Sequence, residues 1–260
     1  MSAAPTTSTD SRFGRRFWPL FGLGLVGVLA LAPTLAPILA AKLQQMPKIP
    51  LSLNALVAAS LIQPTLLLAA GAALGAGFAD RVGFSSHLAR VNVHASFAAE
   101  IPRAILIGAL LGALLVVADL WAFPSARAET EAAGKSAGQV ATLVGGMLYG
   151  GMTEEIMMRW GLVSVLAWLG HRFAGRGTRN PAPAVFWTAI VLAAIHFAAA
   201  HLPAAAASHP LTADIVARVL VLNAFAGLVY GWLFWRRSLE SAMLAHAFTH
   251  VAFAVVALAR

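Results

Sequence analysis

Apolar residues dominate this chain in blocks long enough to cross a bilayer, which takes roughly 20 mostly apolar residues as a helix. The first block, Phe17–Ala41, runs for 25 residues without a charge. It is too long for a signal-peptide core and is read as a retained helix. Further blocks lie within Ile49–Ala79, at Ala104–Phe123 with Asp119 near its end, at Gln139–Leu169, within Pro183–Ala207, at Ile215–Trp235 and at Leu239–Ala259. The pattern predicts an all-α, polytopic transmembrane helix bundle of seven membrane helices. An eighth arises if the fourth block breaks in two, or if Gly83–Ala99 lies in the membrane interface as a short helix.

Composition narrows the class. Hydrophobic residues make up 60% of the 260, and only 11% are charged, against about 25% in an ordinary soluble domain. So few charges cannot cover the surface of a soluble enzyme, and disorder or a fibrous repeat falls for the same reason. There is no cysteine, so disulfides, thiolate metal sites and cysteine nucleophiles are excluded.

The net charge of +8 reads as a topology signal and not as a nucleic-acid footprint. With the N-terminus inside, 11 of the 18 Lys and Arg residues fall on inside segments and five on outside ones. That bias favours the N-terminus inside and the C-terminus outside. The Ala/Gly/Arg-rich composition points to a bacterial inner (plasma) membrane. Residues 1–16 read as a disordered cytoplasmic tail, 124–138 as a polar loop, and 17–260 as a single transmembrane domain. Gly71/Gly75, Gly108/Gly112, Gly146/Gly150 and Gly227/Gly231 have the small-xxx-small spacing that lets helices approach closely in lipid. In a chain with 22 glycines such spacings also arise by chance.

The chemistry lies in ionisable residues inside apolar runs, because each charge at mid-bilayer costs at least about 2.5–3.5 kcal/mol. Glu154, Glu155 and Arg159 sit within the fourth block. On an α-helix Glu155 and Arg159 are four apart and can pair, whereas Glu154 points about 100° away and has no partner on its own helix. A paired and an unpaired carboxylate are how a site separates a structural ion pair from a general base. The plainer alternative is the snorkelling end of a helix, but Trp160–Leu169 continues apolar beyond the charges.

Histidines supply the second element. His196, His201, His246 and His250 lie inside apolar segments. His246 and His250 are four apart and face the same way. A lone membrane histidine more often bonds a neighbouring helix than a ligand; several beside a free glutamate change those odds. By residue midpoint, Glu154, His201 and the His246/His250 pair all fall within about 10 Å of the mid-plane at 1.5 Å per residue. They can therefore meet in one cavity. Zinc ligation by His201, His246 and His250 with Glu154 is chemically reasonable, giving N and O ligands and room for a water. No HExxH and no Gly-x-Ser-x-Gly occurs.

Glu154-Glu155-x-x-x-Arg159, Phe197-x-x-x-His201 and His246-Ala-x-x, in that order, resemble the three motifs of the CAAX-protease and bacteriocin-processing (CPBP, or ABI) family of intramembrane proteases. The resemblance covers about Gln139–Ala259, which would be the catalytic core. It implies an intramembrane endopeptidase acting on a membrane-associated peptide or protein. In that reading Glu154 activates the attacking water, Glu155 and Arg159 support it, and His201 and His246 position the water or stabilise the oxyanion. The family usually has Asn or Asp four residues after the last histidine, where this chain has His250. Two other classes remain open from sequence: a non-catalytic immunity or partner-binding membrane protein, and a proton-coupled transporter, since relays also use buried Glu and His.

Overall fold

The computed structural model describes residues 9–45, 51–93, 95–132, 138–174, 181–207 and 210–259. Among these residues the regular structure is entirely helical. Helix α1 (Thr9–Leu29) leads into α2 (Ala32–Gln45), then α3 (Leu53–Ser60) and α4 (Ile62–Phe78). Next come α5 (Phe97–Ala122), α6 (Pro124–Ala132) and α7 (Gln139–Gly145). Two π-helical stretches, Gly146–Glu154 and Ile156–Val163, continue α7 into α8 (Ser164–Ala174). The chain ends with α9 (Pro183–Ala200), α10 (Leu202–Ala206), α11 (Ala213–Arg236) and α12 (Leu239–Leu258).

Prolines account for several breaks, because a proline has no N–H to give to the carbonyl four residues back. Pro33, Pro64 and Pro203 each follow within three residues of a break, in the first turns of α2, α4 and α10. Five continuous helical segments are long and apolar enough to cross a membrane: Leu53–Phe78, Phe97–Ala122, Pro183–Ala206, Ala213–Arg236 and Leu239–Leu258. The pair α1 and α2, bent by 41°, makes a sixth if it is one span. The remaining expected span, the fourth block Gln139–Leu169, is helical throughout but takes the π form over its central turns. The chain is an integral membrane protein with a helical bundle.

Two expectations are corrected. The alternative of an interfacial helix at 83–99 does not hold among the described residues. Gly83, Arg90 and Asn92 have positive φ, which a right-handed helix does not accommodate. Instead Ser86 and Val91 form an isolated bridge, and the loop is tied to the start of α12. The Glu240 carboxylate accepts from Ser86 Oγ at 2.7 Å and from the backbone N–H groups of His87 and Leu88, both at 3.0 Å. Residues 9–16, expected within a disordered tail, are helical: α1 begins at Thr9, and Arg16 pairs with Asp80 at 2.6 Å. Residues 1–8 lie outside the described residues.

Close helix approach rests on glycine. A Cβ on Gly71 would collide with the backbone of Met157, and one on Gly75 with the Trp160 indole. Gly108 and Gly112 lie against Ala245 and Thr249 of α12, and Gly227 and Gly231 against Ala194 and Ile190 of α9. All these glycine pairs therefore sit at helix contacts, where van der Waals packing holds helices together in lipid. Hydroxyls fasten the same seams: Thr153 donates to the Gly24 carbonyl at 2.6 Å, and Tyr230 Oη to Thr249 Oγ1 at 2.9 Å.

Candidate active site

The site is built around the π-helical stretch Gly146–Glu154. A π-helix bonds i to i+5 and is rare outside single turns, frequently at functional sites. Here it places Gly146 and Gly150 directly against α12. A side chain at Gly146 would collide with the His250 ring, and a Cβ at Gly150 would lie 2.9 Å from His250 Nε2 and 3.2 Å from His246 Nε2. The two glycines thus make the slot in which the histidines stand.

Three rings form a ladder there. Tyr230 of α11 stacks on His246 with centroids 4.4 Å apart, and His246 on His250 at 5.2 Å. His246 Nδ1 lies 2.8 Å from Glu155 Oε1. With Glu155 ionised, its oxygen only accepts, so the proton is on Nδ1, and in a neutral ring Nε2 then carries the lone pair. Glu155 Oε1 also accepts from Arg159 Nη1 at 3.0 Å, and Arg159 Nη2 donates to the Gly227 carbonyl at 3.1 Å. The guanidinium is further covered by the faces of Phe197 and Tyr230, 4.8 and 5.3 Å from their centroids. Glu155 and Arg159 are fully enclosed, at 0% and 2% exposure.

Glu154, the neighbour of Glu155, behaves differently. It is half-buried, lines a cavity of about 1130 Å³, and makes no hydrogen bond or ion pair among the described residues. His201, His246 and His250 line the same cavity, with Tyr149, Asn223, Tyr230 and Thr249. His201 caps the C-terminus of α9, and its Nδ1 donates to the Phe197 carbonyl at 2.8 Å, again leaving Nε2 as the acceptor of the neutral ring. Of the residues expected at the site, the structure brings Glu154, His201, His246 and His250 to one cavity. It sets Glu155 and Arg159 behind its wall and leaves His196 exposed on the outside of α9.

Sequence reasoning missed Tyr149, Asn223 and Tyr230. The Asn223 amide donates to the Val219 carbonyl at 2.8 Å, which leaves its oxygen and a second N–H for the cavity. The available signal was their spacing: Asn223 and Tyr230 are seven apart, on one face of α11. Asp119 and Arg218 also line the cavity and pair with each other through two hydrogen bonds, one of 2.9 Å.

A metal does not fit this donor set as it stands. The His246 and His250 rings stack within 19° of parallel with centroids 5.2 Å apart, so their in-plane lone pairs lie in two offset planes. They cannot meet at one ion about 2.0–2.1 Å from each. Among the described residues no three His, Asp or Glu side chains converge as a metal site.

Residues 136–252 match the family described as type II CAAX prenyl endopeptidase Rce1-like. No curated protein and no solved structure matches the chain.

Proposed function

Because residues 136–252 carry the pattern of the Rce1-like family of membrane proteases, we propose that this chain is an intramembrane endopeptidase of the bacterial plasma membrane. It hydrolyses a peptide bond with a water activated by Glu154. The observation that carries this reading is the contrast between adjacent carboxylates. Glu155 is buried between Arg159 and His246, whereas Glu154 faces the cavity unpartnered.

Hydrolysis then runs as follows. Glu154 takes a proton from water, and the oxygen attacks the carbonyl carbon of the scissile bond. The water's second hydrogen is accepted by Nε2 of His201 or of His246, which orients its oxygen toward the carbonyl. The negative oxygen of the tetrahedral intermediate needs donors. An N–H of His250 supplies one, in the place where the resembling family has an amide or a carboxyl, and the free N–H of Asn223 is a further candidate on the cavity wall. On collapse the C–N bond breaks, and Glu154 returns its proton to the leaving amine. Glu155 does not touch the reactants; it orients His246 and fixes its tautomer.

Comparative membrane peptidomics of cells carrying wild type or Glu154→Gln tests this. Cleavage products present only with wild type, at equal protein levels, support the reading. Identical peptide sets would leave the chain a non-catalytic binding protein of the membrane.

A further inference from the structure

The two ends of the bundle differ in charge. At one end Arg16 pairs with Asp80, Arg81 lies over Phe78 and Trp168, and Arg236 over Trp235. Trp235 in turn stacks on Phe186. These contacts gather the starts of α1 and α9 with the ends of α4, α8 and α11. Among the described side chains this end carries nine arginines, from Arg12 to Arg237, against Asp80, Glu100 and Glu240. The opposite end, joined by Asp119–Arg218 and by the hydrogen bond from Thr212 to Glu129, carries Lys42, Arg127 and Arg218. Those three are matched by three carboxylates, Asp119, Glu129 and Asp214, among the described side chains.

The cavity is just as one-sided. Beyond the histidines its lining comes from the second end: Thr34, Asp119, Arg127, Gln139, Arg218 and Val256. None of its lining residues comes from the arginine-rich end. There Phe84 packs at 1% exposure against Phe186 and Phe234, and its loop is held down by Glu240.

Short loops rich in Lys and Arg stay in the cytoplasm. Putting the two asymmetries together, we infer that the cavity opens on the side of the membrane away from the cytoplasm. The substrate is therefore an exported peptide chain, either the exported segment of a membrane-anchored protein or a secreted peptide. This rests on the proteolytic reading of the cavity. Along α12, His246 lies roughly 15 Å below the mouth at Val256–Ala257, at 1.5 Å per residue. An extended chain of about five residues covers that depth at 3.3 Å each. The scissile bond is thus expected about five residues inside the point where the substrate leaves the membrane surface. A tail presented from the cytoplasm meets the closed end.

The absence of native cysteine makes the test direct. Leu211 and Val93 are both exposed, 42% and 45%, at opposite ends. In cells expressing the full chain, a membrane-impermeant maleimide is expected to label Leu211→Cys before permeabilisation and Val93→Cys only after it. The reverse pattern overturns the inference, whatever the enzyme does. In the same cells, Glu154-dependent cleavage sites are expected in exported segments. Sites confined to cytoplasmic segments would overturn the inference while leaving the protease reading intact. A complete lack of Glu154-dependent sites would end the protease reading and leave the orientation to the labelling.

Discussion

His246 and Arg159 share one carboxylate oxygen: His246 Nδ1 lies 2.8 Å and Arg159 Nη1 3.0 Å from Glu155 Oε1. The last helix is thereby locked to the π-helical segment through a buried charge. Removing the cation leaves that carboxylate enclosed and uncompensated, which costs roughly 3–5 kcal/mol. Arg159→Ala is expected to lower the thermal midpoint and the folded yield in detergent well below those of Glu154→Gln. Equal midpoints for the two variants would show that Glu155 reaches water.

Gly150 and Gly146 hold space for imidazoles. A methyl group at Gly150 presses on both Nε2 atoms, and overpacking of this kind costs about 1–3 kcal/mol. Gly150→Ala is therefore expected to reduce both stability and turnover. Gly77→Ala, where nothing lies within 4 Å, is the control and should cost neither. Thermal unfolding and product formation, measured on both variants, check this.

His250 stands where the resembling family has Asn or Asp. If it donates to the oxyanion, His250→Asn keeps a donor of similar reach and should retain most activity. His250→Ala should lose about 10²–10³-fold in turnover. Because the paired rings do not converge on an ion, chelators are expected to leave wild-type activity unchanged. Steep inhibition by chelators, mimicked by His250→Asn, would instead reveal a metal.

Tyr230→Phe keeps the ring stacked on His246 and removes only its bond to Thr249. A net loss of about 0.5–1.5 kcal/mol in stability is expected, with activity largely kept. A large drop in turnover would mean that the phenol itself takes part.

The apolar runs made the membrane helices legible, since length and hydrophobicity alone mark them. The pairing of Glu155 with Arg159 was legible for the same local reason, a four-residue spacing. The π form of 146–163 was not, because periodicity was read at 3.6 residues per turn and nothing local marks an i to i+5 ladder. The loop at 84–93, which the sequence left open to an interfacial helix, was not legible because its partner, Glu240, lies some 150 residues away in sequence. Glu155 reaching His246 is likewise a tertiary fact. The use of the glycine pairs could not be told from chance until the backbones opposite them were known. Asn223 and Tyr230 carry no motif; their seven-residue spacing puts them on one face of α11, and the cavity shows which face it is.

The central claim is that Glu154, and not its neighbour, activates the water. The most direct measurement compares the rate of cleavage of one identified product by Glu154→Gln and Glu155→Gln, both reconstituted in liposomes at matched folded amounts. General-base catalysis is worth about 10²–10⁴-fold. Glu154→Gln is expected to lose at least 10²-fold with an unchanged thermal midpoint, and Glu155→Gln to lower the midpoint. A Glu154→Gln enzyme turning over within a few-fold of wild type would contradict the claim outright.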